Sequence, residues 1–485
     1  MVDYLLKFKK KYKVPLLLSF IIIPFIIEFS YGSYFLTSFH GNWYSIDQDV
    51  VIIGAYRLSK DNFYSNDFLI NKIIDLYPSQ IFYLTSIFYN LLSSMLLTFL
   101  LFTLFLKIVF VLSTFLLSKY LLKNEKLALL ATFMLSFTHF MGPEEIGVTQ
   151  VLAKNLIFAF MPLLFYLFFK YYKKTSVVIF IVLGFFLFFH SITVLPIILL
   201  FLYSLLFEKK NFKLFSLCLL VSLIFSFFYF KSTSIYQEQF DVSTLNLRAM
   251  LPPYIYYSVL KFGLVIVPGF FIIRKNNKEL FNWLLLLSVY SAISIFSLFS
   301  DKVTLMQFFR SAKYIIYFSF IYSTILVSWL WNRSKLTAIF FAFLIFFPFS
   351  NIFYSTAFED ITKPKNTYLY YNNEVIYLGD WLDKNTPHNS VLLAPPDWIE
   401  IKIWSKRSTV ALWYDAGWCQ YSKTLSAMCK ERKDDVTKVY NQTSTEEFLK
   451  IARKYDANYI ITFNSSLNLK EEKTVGKFKV YKVLP

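Results

Sequence analysis

At 485 residues, 56% of them hydrophobic and with a mean hydropathy of +0.50, the chain lies outside the composition of a soluble domain. A net charge of +18 would suggest nucleic acid in a soluble protein, but here the lysines stand in short clusters between long apolar runs, the positive-inside pattern, so no nucleic-acid partner is expected. Three cysteines exclude a disulfide framework, and 11 glycines without a Gly-rich phosphate loop argue against a nucleotide-binding fold.

The apolar runs predict transmembrane helices. Lys7 to Lys13 precede a first segment from about Val14 to Phe35, which no small-residue cleavage site follows; it is expected to be a retained helix with the N-terminus cytoplasmic. An outer loop (36–90) follows and ends in amphipathic, aromatic-rich sequence, Ile81 to Leu92, suited to the membrane interface. Segment two (Met95 to Ser118) returns to Lys119–Lys126, segment three (Leu127 to Phe140) emerges at Glu144-Glu145, and segment four (Val151 to Phe169) returns to Lys170–Lys174. Val177 to Phe207 is long enough for two short crossings broken near His190 and Pro196. Segments seven (Leu214 to Phe230), eight (Ile255 to Ile273), nine (Leu280 to Phe299), ten (Tyr314 to Trp331) and eleven (Leu336 to Phe353) complete the series. The expectation is a polytopic α-helical membrane protein of about eleven helices with the C-terminus outside. Lys107, in the middle of segment two, is expected to snorkel or to face a polar cavity.

From about Thr356 the composition becomes ordinary, dividing the chain into a transmembrane domain (1–356) and a small extracytoplasmic α/β domain (357–485). Glu374 to Asn385 reads as a helix, Val391 to Ala394 and Ser408 to Trp413 as strands, and Ser444-Thr445-Glu446-Glu447 as a capping box opening a helix to Lys454. Ala457 to Phe463 and Lys477 to Leu484 read as further strands of a largely parallel sheet. Cys419 and Cys429, close in sequence on the exported side, are expected to pair, while Cys218 stays a buried thiol.

This sidedness gathers the polar residues outside. Ser45-Ile46-Asp47-Gln48-Asp49 opens the outer loop, with Arg57 and Asn66-Asp67 after it. Carboxylates beside a bilayer are expensive, which marks them as functional candidates; the competing reading is a solvated loop start with a helix cap. Asp49, Glu144 and Glu145 supply the carboxylate oxygens that a hard divalent cation, Mg²⁺ or Mn²⁺, requires. Arg57, Arg310 and Lys313 suit phosphate, with the alternative that Arg310 and Lys313 anchor the helix ends to lipid headgroups. His139 and His190 fall at outer helix ends, where structural histidines are the competing reading.

This order of parts resembles the GT-C-type membrane glycosyltransferases, in layout the catalytic subunit of prokaryotic oligosaccharyltransferases, and related prokaryotic polytopic membrane proteins. Asp49 through Arg57 resembles the family's first-loop Asp followed by Arg, Glu144-Glu145 its second acidic motif, and Arg310 its late-loop arginine. Where the family has Trp-Trp-Asp-Tyr-Gly, this chain reads Pro395-Pro396-Asp397-Trp398 with Arg407 ten residues on, or more loosely Trp413 to Gly417. That departure removes the basis for expecting an Asn-x-Ser/Thr acceptor. The resemblance implies a GT-C-like fold at the cell membrane, transferring a sugar from a polyprenyl-phosphate donor to an extracytoplasmic acceptor. Asp47 or Asp49 would be base or metal ligand; Arg57, His190, Arg310, Lys313, Asp397 and Arg407 would bind substrate. A lipid-linked-saccharide transporter and a non-catalytic envelope protein are the alternatives.

Overall fold

The computed structural model describes residues 14–24, 46–60, 63–76, 80–137, 153–232, 265–293, 311–346, 368–396, 399–411, 419, 423–442, 444–463 and 467–483. Its helices in chain order are α1 (Val14–Pro24), α2 (Ile46–Leu58), α3 (Phe68–Leu76), α4 (Gln80–Leu92), α5 (Met95–Leu122), α6 (Glu125–Phe137), α7 (Ala153–Tyr203), α8 (Phe212–Ser232) and α9 (265–276). They continue with α10 (Lys278–Ala292), α11 (Ala312–Arg333), α12 (Lys335–Phe346) and α13 (Tyr368–Asn385). The C-terminal part then runs β1 (Val391–Leu393), α14 (Ile399–Ser405), β2 (Ser408–Thr409), α15 (Lys423–Gln442), α16 (Thr445–Lys454), β3 (Tyr459–Phe463), β4 (Glu471–Val475) and β5 (Phe478–Lys482). Two compact units result: a membrane unit of residues 1–31, 99–231 and 246–359, and a second unit of 32–98, 232–245 and 360–485. Residues 32–98 thus group with the C-terminal residues.

Among the described residues, four stretches are long and apolar enough to cross a membrane: Leu97–Leu122, Ala153–Glu208, Phe212–Lys231 and Ala312–Arg333. The shorter helices α1, α6, α9, α10 and α12 overlap segments one, three, eight, nine and eleven, each of which runs on into residues outside those described. At 51 residues α7 is far longer than one crossing, since about 20 residues span the hydrocarbon core. Its backbone leaves helical geometry at Tyr171 (φ −131°, ψ 23°), inside the Lys170–Lys174 cluster, and again at His190 (φ −163°, ψ 85°). Past Tyr203 a π-turn (Ser204–Glu208) leads to Lys209, whose Nζ lies 2.6 Å from Glu279 Oε2, tying this end to α10.

Aromatic residues fill the membrane unit's core: Phe168 stacks on Phe201 at 4.1 Å, and Phe169 on Trp283 at 4.7 Å. By contrast α8 exposes Leu220, Leu223, Phe227 and Phe228, as a helix facing hydrocarbon must. Lys107 is buried in this unit.

The second unit is built on a five-stranded sheet of order β2-β1-β3-β5-β4. Pairs β1–β2 and β1–β3 are parallel, but β3–β5 and β4–β5 are antiparallel, so the sheet is mixed rather than largely parallel. The difference arises at Glu471–Val475, whose charged run hides strand β4: an exposed edge needs no apolar alternation, and charges there discourage further pairing. Residues alternate between two apolar layers, as the pleat requires. Leu393 and Ile460 pack with Val436, Val439 and Phe448 of α15 and α16; Leu392 and Ile461 pack with Leu378, Leu382 and Ile401 of α13 and α14. Ser444 precedes α16, but its side chain makes no cap hydrogen bond, so the capping box does not form. Cys419 is disulfide-bonded to Cys429 of α15, with Cα atoms 6.1 Å apart, and Cys218 is a buried free thiol.

The outer-loop helices build onto this unit through close backbone approach. A Cβ on Gly54 of α2 would sit 2.7 Å from the Phe82 ring of α4, so only glycine allows this contact. Tyr56 meets Tyr89 edge-on at 5.0 Å beside it.

Candidate functional site

In the membrane unit the break in α7 gathers polar groups. At His190 the backbone turns extended for one residue, and the chain re-enters a helix in which Thr193 follows. The Thr193 amide and hydroxyl both approach His190 Nδ1, at 3.3 and 2.9 Å. Lys313 Nζ, near the start of α11, donates to the same hydroxyl at 3.1 Å, and Tyr314 donates to the Thr193 carbonyl at 2.8 Å. The Thr193 amide can only donate, so Nδ1 is the acceptor and a neutral ring carries its proton on Nε2. Lys313 is 3% exposed, its Nζ 5.9 Å from the Phe158 ring centroid and 5.5 Å from that of Tyr314, while His190 is half-buried. Ser191 and Tyr229 share a hydroxyl contact of 3.0 Å on the neighbouring turn. Two of the sequence-predicted residues, His190 and Lys313, are therefore joined through one threonine. Thr193 itself carries no sequence signal beyond its i+3 spacing from a histidine in an apolar run.

In the second unit Asp47 and Asp49 stand in the first turn of α2, where the helix dipole favours carboxylates. Arg57, in the last turn of the same helix, donates from Nε to Asn71 Oδ1 at 2.8 Å and so links α2 to α3. Asp67 accepts at Oδ1 from the amides of Leu69 (3.1 Å) and Ile70 (2.9 Å), capping α3. Its Oδ2 lies 2.7 Å from Lys402 Nζ of α14 as a charge contact rather than an aligned hydrogen bond, the two side chains being 0% and 1% exposed. Tyr64 donates its hydroxyl to the Lys402 carbonyl at 2.7 Å. Burial, with Tyr56, Asp67 and Asp383 nearby, holds that phenol well above its ordinary range.

Arg407, expected from the sequence to bind substrate, is held by internal partners. Its side chain is fully buried; Nη1 donates to Asp383 Oδ1 (3.2 Å) and the Ser405 carbonyl (2.9 Å), Nη2 to the carbonyls of Asp383 (2.8 Å) and Thr386 (2.7 Å), and Nε to Thr386 Oγ1 (3.0 Å). Burial pulls its pKa down, opposed by the Asp383 carboxylate. The guanidinium closes the C-terminal end of α13 against the α14–β2 turn. The sequence offered two cationic neighbours, Lys406 and Arg407, with nothing to show that both turn toward Asp383.

Among the described residues no three His, Cys, Asp or Glu side chains form a metal-sized group. The side chains of Asp47 and Asp49, and all of His139, Glu144, Glu145, Arg310, Asp397 and Trp413 to Gly417, lie outside the described residues.

A model of a domain of unknown function, DUF6798, matches residues 373–419, the stretch that holds Asp383, Lys402 and Arg407. No curated protein matches the chain. Among solved structures, the chain is similar to the archaeal oligosaccharyltransferase AglB from Archaeoglobus fulgidus in complex with an inhibitory peptide and a dolichol-phosphate. That match has 12% identity and a TM-score of 0.43, covering 93% of this chain and 70% of the other. A second Archaeoglobus fulgidus oligosaccharyltransferase structure, tethered to an acceptor peptide containing the NVT sequon, matches at 13% identity and a TM-score of 0.44 over 94% and 70%.

Proposed function

We propose that the protein is a membrane glycosyltransferase moving a saccharide from a polyprenyl-phosphate-linked donor to an acceptor outside the cell membrane. The observation that carries this reading is the His190–Thr193–Lys313 constellation at the break in α7. A cation and an imidazole N–H at membrane depth are donors for phosphate oxygens, and ionisable groups in such segments mark substrate paths. Lys313 and the Nε2–H of His190 hold the lipid phosphate, and Arg310 is assigned to the same phosphate by its place in the sequence.

Asp49, or Asp47, takes the acceptor proton as the acceptor oxygen or nitrogen bonds to the sugar's anomeric carbon. The anomeric C–O bond to phosphate breaks, and its electron pair leaves with the polyprenyl phosphate. The carboxylate oxygens of Asp49, Glu144 and Glu145 are of the type that Mg²⁺ or Mn²⁺ takes, and such an ion, if they held one, would supply charge neutralisation at the leaving group.

The test is transfer by the full chain in proteoliposomes, using a panel of short-chain polyprenyl-phosphate sugars and membrane-extract acceptors. The expected outcome is release of polyprenyl phosphate, abolished in Asp49→Ala; Lys313→Met raises the donor KM. Donor binding equal to wild type in both Lys313→Met and His190→Ala would defeat the assignment. Movement of intact donor across the bilayer without cleavage would establish the transporter reading instead.

A further inference from the structure

We propose that Asp67 and Lys402 are a positioning pair, through which the C-terminal domain sets the place of the acidic first turn of α2. This rests on the reading above that Asp47 or Asp49 takes part in transfer.

Two apolar side chains would dock the outer loop with less cost, because each buried charge loses its hydration and recovers it only against a well-placed partner. The compensation for this pair is local: Lys402 Nζ meets Asp67 Oδ2 at 2.7 Å as a charge contact, and Asp67 Oδ1 takes two amides of α3. Such a contact has one register. A one-residue slip of α14 against the loop strands an ammonium and a carboxylate together, whereas an apolar contact would tolerate it.

Other contacts point the same way. The Tyr64 hydroxyl holds the Lys402 carbonyl, and Lys406 Nζ lies 5.3 Å from the centroid of the Phe63 ring. From a second helix, α15, the Arg432 guanidinium lies 3.9 Å from the Phe68 ring centroid and 4.6 Å from that of Tyr455. Since α2 is locked to α4 through Gly54 and to α3 through Arg57–Asn71, fixing residues 63–68 fixes α2. The backbone of the first turn of α2 is thus located by residues more than 300 positions downstream.

The experiment compares full-length Lys402→Met and the double variant Asp67→Asn/Lys402→Met in detergent, by hydrogen exchange and by transfer kinetics. Asparagine keeps the cap and methionine the length, so the double variant removes the charges without leaving one unpaired. In the single variant the amides of residues 46–58 exchange at least about 10-fold faster, while those of β3 and β5 stay at wild-type rates. In the double variant thermal stability returns, yet kcat stays roughly 10²-fold low at an unchanged donor KM, the size of effect expected of a misplaced catalytic group. Return of both stability and kcat would make the pair merely structural and overturn the proposal. So would unchanged exchange in 46–58 in both variants. If the wild-type protein transfers no sugar, the proposed function fails on its own, and exchange alone decides whether the pair positions α2.

Discussion

In the second unit the buried cations meet carboxylates: Lys402 meets Asp67, and Arg407 meets Asp383 together with five backbone carbonyls that its two terminal nitrogens reach. In the membrane unit Lys313 meets a threonine hydroxyl that also serves an imidazole, at a break in a helix. Both solutions satisfy the rule that a buried charge needs partners. They differ in the partners used. A guanidinium bound to an internal carboxylate and carbonyls holds the fold together, whereas an ammonium and a half-buried histidine meet at one threonine hydroxyl.

The most direct way to break this contrast is Arg407→Ala. If the arginine is structural, its loss leaves several buried carbonyls unsatisfied and should destabilise the second unit by about 3–5 kcal/mol. Chemical denaturation of the detergent-solubilised chain, followed by proteolysis of residues 368–483, measures this. Arg407→Lys should recover little, because an ammonium cannot reproduce the planar fork. A well-folded Arg407→Ala with weakened donor binding would return Arg407 to the substrate site.

Cys419→Ser with Cys429→Ser probes the same unit with a smaller step. Closing a loop of about ten residues contributes roughly 2–3 kcal/mol in the chain-entropy model. The loss should appear in the second unit alone, leaving the membrane unit's unfolding where it was.

Gly54→Ala addresses how the loop helices are packed. The new methyl would overlap Phe82 of α4 near the ring's attachment carbon, which cannot swing away as a flexible tip would. The expected cost is about 1–3 kcal/mol, read as lower protection of residues 46–58 against hydrogen exchange. A neutral effect would show that α2 and α4 have room to separate.

These substitutions also mark what the chain discloses by itself. Long apolar runs are legible because every backbone group in a bilayer must be satisfied internally, and only helices of a certain length do so. The breaks at Tyr171 and His190 fall inside stretches already singled out by a lysine cluster and by a histidine in an apolar run. The apolar strands β1 and β3 are readable for the same reason: they are buried on both faces. Strand β4 is not, because its residues face water and its partner is chosen by the Gly476 turn, where φ is +58°. Long-range pairs such as Asp67–Lys402 are illegible in principle. Hydropathy and capping are local, whereas which lysine meets a given aspartate is decided by the docking of helices far apart in sequence. The surroundings of Arg407 are illegible for a related reason: an arginine bound to internal carbonyls and one awaiting phosphate look alike until the chain folds.

The smallest expected effect concerns the exposed contact between α15 and α16, and it tests whether charge pairs outside the core matter at all. Asp435 Oδ2 lies 2.7 Å from Lys454 Nζ and also accepts from the Tyr455 hydroxyl at 2.7 Å. Partial burial disfavours the Asp435 carboxylate, but the hydrogen bonds from Lys454 and Tyr455 outweigh it and hold its pKa below the ordinary value. A depressed carboxyl contributes stability above its unfolded pKa, near 4, and loses it as pH falls through the lower folded value. Lys454 is shifted up, chiefly by hydrogen bonds to Asp435 and Glu431, so its share is present below about 10.4 and fades as pH rises through the higher folded value. The link should therefore be level across the neutral range and weaken only at the extremes. Its magnitude belongs with exposed pairs, which salt screens and side-chain entropy offsets. Asp435→Asn should lower the second unit's melting temperature slightly at pH 7 and flatten its decline between about pH 4 and pH 3, with the neutral-pH difference shrinking in high salt. A large loss at pH 7 that salt does not change would mean that Asp435 supports the α15–α16 packing in some way other than through charge.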